Sequence, residues 1–185
     1  MLKRIISATL VVLLAAYPIL VFLGLQHFEV SQICWVLVAL FAFRLALSSR
    51  QVGRAIGVPM AIVGIVLAGA SALLDSPQML KFYPVVVNLC MFAVFAYSLY
   101  SPPSMIERLA RLREPELPNE AIQYTRKVTW IWVAFFVLNG MVALWTATYA
   151  SMATWTLYNG LIAYFMMGVL LVGEICYRRW VLRVN

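Results

Sequence analysis

Arg44 and Glu174 are the two ionised side chains that fall inside the long apolar runs of this chain. A charge in hydrocarbon is costly, so such residues pair, snorkel to the interface, or line a path for protons or substrate. Both lie within a turn or two of the cytoplasmic end assigned below, close enough to reach water. Glu174 also stands four positions before Arg178, a helical spacing that favours a local ion pair. The structural reading is therefore two snorkelling side chains; the functional one is an Arg44 to Glu174 pair between helices, lining a proton or substrate path. Asn88, Asn139 and Asn159 bring amides into three apolar runs. Hydrogen bonds between helices are a sufficient reason for them, and a ligand site between those helices is the alternative.

Other chemistry is sparse. His27, near Glu29, is the single histidine of the chain. That excludes paired-histidine zinc sites and disfavours a conventional Ser-His-Asp triad. The sequence has no Gly-rich phosphate loop, dinucleotide fingerprint or Gly-x-Ser-x-Gly elbow. Cys34, Cys90 and Cys176 fall inside apolar runs at dissimilar depths, without metal or disulfide spacing, and read as apolar filler. The expectation is a protein that is not an enzyme and uses no cofactor or metal.

The elements that position these residues follow from composition. The chain of 185 residues is 64% hydrophobic and 11% charged, too little polar surface to cover a water-soluble globule. Its apolar stretches divide into spans at about 5–24, 30–48, 57–74, 82–100, 128–149 and 156–177, each near the roughly 20 residues a helix needs to cross a bilayer. Met1 to Arg4 resembles the basic start of a signal peptide, but the run after it is long enough to span and no convincing cleavage site follows, so it is read as a retained first span.

Of the 14 Lys and Arg residues, all but Lys81 fall on one side of this layout. Cations are retained on the cytoplasmic side, so both termini are expected there. The net charge of +7 then reports orientation and attraction to anionic lipids, with no nucleic-acid partner implied. Lys81 is expected to lay its stem along the outer interface beside Phe82 and Tyr83. The outer connections are short, which predicts an all-α membrane protein: six transmembrane helices as three antiparallel hairpins, in a single domain over residues 1–185, multi-pass in the cell inner membrane.

Two segments carry packing signals. Gly53, Gly57, Ala61, Gly64, Ala68 and Ala72 keep small residues on one face of span 3, which permits close backbone approach. The partner is another span of the chain or span 3 of a second copy, which would make a homodimer. Between spans 4 and 5, residues 101–127 form the one substantial cytoplasmic segment. Pro102 and Pro103 end span 4, and Ser104 with Glu107 has capping-box spacing. Met105, Ile106, Leu109 and Leu112 make an apolar stripe beside Arg108 and Arg111. This reads as a short helix on the membrane surface, either a solvated connector or a docking face. A helix starting near Asn119 is expected to continue into span 5. The similarity between Asn139-Gly140 and Asn159-Gly160 with their following residues reads as coincidence, because the two spans run in opposite directions.

From Leu80 onward the order of features resembles the intracellular septation protein A family, small polytopic inner-membrane proteins of Gram-negative bacteria. The resemblance rests on Leu80 to Phe82 leading into a span, Ile106, Arg108 and Leu109 after Pro103, Glu116 to Pro118, Trp132 to Phe136, Gly140, and Trp155 at the start of the last span. It departs at Tyr124 to Thr129, where the family carries a Trp and a Leu-Asn pair, and the first half matches in hydropathy alone. The resemblance implies a non-catalytic role in envelope assembly, septation or membrane integrity, through membrane lipids and other inner-membrane envelope or division proteins. A small permease is the other reading, or a lipid-handling accessory protein linked, as related proteins imply, to aryl-polyene pigment lipid synthesis. The layout predicts that a reporter fused after residue 115 is active only as a cytoplasmic fusion; an extracytoplasmic signal there contradicts it.

Overall fold

The computed structural model describes residues 16–46, 51–112 and 114–180, without the side chains at 44, 51–57, 59 and 178–180. Residues 5–15 of the first span thus lie outside the described residues, as do the Arg44 side chain and the packing at Gly53 and Gly57. The described residues are helical with no strand: α1 (Tyr17–Gly24), α2 (Val30–Ala46), α3 (Gln51–Leu73), the single turn α4 (Gln78–Lys81), α5 (Tyr83–Tyr100), α6 (Met105–Arg111), α7 (Asn119–Tyr149), α8 (Met152–Leu157) and α9 (Ala163–Trp180). A π-helical segment, Tyr158–Ile162, joins α8 to α9. By length and composition, Gln78–Tyr100, Asn119–Tyr149 and Met152–Tyr177 can cross a membrane; Val30–Phe43 and Met60–Leu73 are shorter apolar helical stretches.

Helix is the form these runs must take, because lipid offers no partner to an open backbone. Their ends follow local rules. Pro18 and Pro84 sit in the first turns of α1 and α5, where a missing N–H costs no helical bond. Ser151 starts α8 by accepting the Thr154 N–H at 3.1 Å. From Asn119 to Tyr149 α7 runs without a break, so the expected helix after Pro118 and span 5 are one rod.

The longest side-by-side packing joins α2 to α3 and α5 to α7, with α3 against α5 connecting the two pairs. Most of span 1 lies outside the described residues, so the hairpins of spans 1 with 2, 3 with 4 and 5 with 6 stay an expectation. Among the described residues spans 3 and 4 meet, and the most extensive packing joins spans 2 with 3 and 4 with 5. The small-residue face of α3 explains the first pair. Ala61, Gly64 and Ala68 are buried within the chain, and Ala72 is half-buried. A Cβ on Gly64 would lie 2.5 Å from the Phe41 ring of α2. Aromatic rings explain the second pair: Phe95 of α5 meets Phe136 and Trp132 of α7, centroids 5.1 and 6.4 Å apart.

Two apolar cores result. One, at the α4 end, gathers Tyr17, Val21, Cys34, Phe41, Leu80, Tyr83 and Trp155. The other, at the α6 end, gathers Phe95, Leu99, Met105, Trp132, Val133 and Phe136. The last span lies on the outside. Leu161, Phe165, Val169 and Val172 are each more than half exposed, an apolar surface suited to lipid.

The surface helix α6 is fixed beneath α5 and α7 through its first-turn donors, which have no partner within the helix. Glu107 accepts the Ser104 N–H at 3.3 Å, Ser98 of α5 accepts that of Met105 at 2.9 Å, and Thr129 of α7 accepts that of Ile106 at 3.3 Å. Arg108 holds the carbonyls of Ser101 and Pro103, and Arg111 bridges Glu107 at 2.8 Å while donating to the Pro115 carbonyl. The first turn of α6 is thus bound to the bundle, and its arginines tie the rest of the connector to itself.

Gly64 and Gly69 give a matched test, since nothing lies within 4 Å of a Cβ on Gly69. Gly64→Ala should destabilise the purified protein by about 1–3 kcal/mol through overpacking. Gly69→Ala should be neutral or stabilising by up to about 1 kcal/mol. Denaturation in mixed detergent micelles measures both, and equal behaviour of the two contradicts the α2–α3 packing.

Candidate functional site: an amide-lined cavity between the two cores

Asn88, Asn139 and Asn159 lie on three different elements and line one cavity of ≈ 510 Å³. The space lies between the two cores: Tyr17, Phe41 and Tyr83 bound it on one side, and Phe95, Trp132 and Phe136 on the other. Its size falls in the range of about 300–1,000 Å³ typical of small-molecule sites. No Asp, Glu, Lys, Arg or His lines it among the described residues. Such a lining can hold a molecule by shape and neutral hydrogen bonds.

The amides form a directed chain across the helices. Tyr158 Oη donates to Asn139 Oδ1 at 2.9 Å, Asn139 Nδ2 donates to Asn88 Oδ1 at 2.9 Å, and Asn88 Nδ2 donates to the Pro84 carbonyl at 2.8 Å. The two asparagines are 7% and 5% exposed, so losing one of these partners leaves a largely buried polar group without its bond. Gly140 allows the approach of α7 to α5, since a Cβ there would lie 3.2 Å from Asn88 Cβ.

Asn159 stands apart in its bonding. Its Nδ2 donates to Thr146 Oγ1 of α7 at 3.1 Å and to the Trp155 carbonyl, one turn back, at 2.9 Å. It sits in the π-helical segment, where the widened turn disturbs the regular carbonyl ladder and a side-chain amide serves one of the carbonyls. Gly160 beside it lets α1 come close: a Cβ there would lie 3.0 Å from Ile19. The two Asn-Gly pairs therefore do parallel work, with the amide on the cavity wall and the glycine against a neighbouring helix. Coincidence in sequence becomes similarity in role.

Four side-chain hydrogen bonds involving α4 hold the cavity's walls together at that end. Tyr17 Oη donates to the Leu80 carbonyl at 2.8 Å, and Trp155 Nε1 donates to the Lys81 carbonyl at 3.0 Å. Gln78 Nε2 reaches the Ala147 carbonyl at 2.8 Å, and Lys81 Nζ reaches the Ala150 carbonyl at 3.1 Å. Lys81 was expected along the interface, yet it is only 7% exposed: its ammonium meets the carbonyl end of α7, where the helix dipole favours a cation.

The remaining expected site residues fall elsewhere. Glu174 does not line the cavity; Tyr124 Oη lies 3.5 Å from its Oε1, beside a stacked Tyr124–Tyr177 pair. The proposed pair with Arg44 lies outside the described residues. The apolar stripe of α6 divides: Met105 is buried in the core, Ile106 and Leu109 line the cavity, and Leu112 is 75% exposed. An open docking face there retains Leu109, Leu112 and the two arginines, both of which already hold local partners. Tyr158, Thr146, Gln78 and Tyr17 have roles that the sequence reading missed. Tyr158 adjoins Asn159, but its hydroxyl reaches a different helix; no spacing rule announces that.

No protein-family model matches the chain, and no solved structure matches it. It is 30% identical over 114 residues to a protein of Paracidovorax citrulli (strain AAC00-1) called inner membrane-spanning protein YciB. The matched stretch covers 61% of this chain and 58% of that relative, so the likeness takes in less than two thirds of the relative's length.

Asn139→Leu removes the donor to Asn88 Oδ1 and the acceptor of the Tyr158 hydroxyl, leaving both partners without that bond. The expected loss is about 0.6–1.7 kcal/mol, the scale of measured interhelical hydrogen bonds in membranes. Unfolding of wild type and variant in mixed micelles measures it; an unchanged midpoint contradicts the amide chain.

Proposed function

We propose that this is a non-catalytic, multi-pass inner-membrane protein that supports the cell envelope by holding lipid in the cavity between its two cores. The observation that carries this reading is the convergence of Asn88, Asn139 and Asn159 on one predominantly apolar space inside a helical bundle. The cavity is uncharged among its described lining residues and bordered by aromatic and aliphatic side chains, a surface for a hydrocarbon chain with a neutral polar end. Leu109 of α6 and Tyr164 and Leu171 of α9 line it while being 44%, 42% and 49% exposed, which supports access from the membrane side.

The finer layout belongs to the same proposal: six spans in a single domain, short outer connections, and both termini cytoplasmic with the basic segments. The relative's description as inner membrane-spanning supports the location. Roles in septation or in pigment-lipid accessory work fit a lipid-holding protein, and envelope or division proteins meeting the exposed Leu109 and Leu112 would be its partners.

The test is retention of native lipid. Protein purified in mild detergent from its own membranes should carry lipid that mass spectrometry detects at a fixed ratio to protein. Ala163→Phe, which fills a buried position on the wall, should lose most of it while remaining monodisperse. Equal lipid in both proteins, or none in wild type, contradicts the proposal.

A further inference from the structure

Asn159 is 5% exposed and lines the cavity, yet its two hydrogen-bonding ends are used unequally. Both recorded bonds leave from Nδ2, toward Thr146 and the Trp155 carbonyl. Among the described residues its Oδ1 accepts no hydrogen bond, and it is not among the atoms sealed from all contact. A carbonyl oxygen that opens on the cavity without a protein donor is an available acceptor, so a molecule there that supplies an N–H or O–H gains that hydrogen bond. The other amides are committed to one another: Asn139 Oδ1 takes the Tyr158 hydroxyl and Asn88 Oδ1 takes Asn139.

The charge of the occupant follows from what is missing around it. With no cation among the described lining residues, a carboxylate or phosphate would enter without compensation; with no carboxylate, so would an amine. We infer that the cavity takes a long-chain amphiphile whose polar end is an uncharged hydrogen-bond donor, a hydroxyl or amide, received by Asn159 Oδ1. The inference rests on the lipid-holding reading and names the chemistry of its ligand. The π-helical segment is the positioning device: it sets Asn159 so that Nδ2 is spent on the protein and Oδ1 is left for the guest.

Three probes of one chain length separate the possibilities: hexadecanol, hexadecyl methyl ether and palmitate, each measured against the full-length protein in detergent by native mass spectrometry. The ether keeps the oxygen and loses the donor. Wild type should bind the alcohol roughly tenfold tighter than the ether, the worth of one good hydrogen bond, with palmitate weaker than the alcohol. In Asn159→Ala the alcohol should fall to the ether's level. Equal binding of alcohol and ether by wild type, discrimination that persists in the variant, or palmitate binding tightest overturns the inference and leaves the lipid-holding reading standing. Binding of none of the three overturns both. Should Asn159→Ala not fold, an alcohol with a diazirine beside its hydroxyl decides on wild type: labelling within residues 155–164 supports the assignment, and labelling confined to 105–112 overturns it.

Discussion

Lipid removes the force that normally drives helices together, so the bundle depends on polar groups that can find partners only in each other. The single turn α4 is where this constraint concentrates. Its residues exchange hydrogen bonds with Tyr17 of α1, the carboxyl end of α7 and Trp155 of α8. Tyr17, Leu80 and Trp155 are at most 2% exposed, and their rings and aliphatic atoms build the core around those bonds. The Tyr17 ring lies tilted against Tyr83, centroids 4.8 Å apart, and Tyr83 in turn meets Phe41 at 5.1 Å. One turn of helix therefore joins the first, middle and last parts of the chain.

The cavity is a consequence of this arrangement. Large rings fill the space around α4 and, at the other end, the space where α5, α6 and α7 meet. Between them the chain places asparagines and glycines instead. Gly140 and Gly160 bring backbones together while their neighbours Asn139 and Asn159 occupy the wall, so the middle of the bundle is narrow in backbone spacing yet polar at selected points. A site that binds by shape and neutral hydrogen bonds needs this combination: rigid borders, few polar atoms, and side chains fixed by protein hydrogen bonds, with Asn159 Oδ1 left open to the cavity.

What the sequence made legible are features governed by local rules. The apolar runs, the capping-box residues Ser104 and Glu107, the helix start after Pro118 and the small face of α3 depend on spacing alone, and helix is their only solution in lipid. The asparagines stood out because amides are costly there. The rest depends on distance in space. Lys81 reads as an interfacial cation until the end of α7 lies within reach of its ammonium. The π-helical turn has no signature in Tyr158 to Ile162; it arises where α1 packs on Gly160 and Asn159 finds Thr146. Pairing of spans across short loops is a statement about connectivity; the packing of α2 on α3 and of α5 on α7 depends on side-chain fit, Phe41 on Gly64 and Phe95 on Phe136.

The organising role of α4 is open to a direct measurement. Tyr17→Phe removes one hydroxyl and leaves the ring, so that the buried Leu80 carbonyl loses its side-chain donor. Unfolding of the purified protein in mixed micelles should show a loss of about 1–2 kcal/mol, at the upper end of interhelical hydrogen bonds in membranes and within the cost of a buried unpaired carbonyl. A variant as stable as wild type would mean that the turn is a passive connection and that the bundle is held elsewhere.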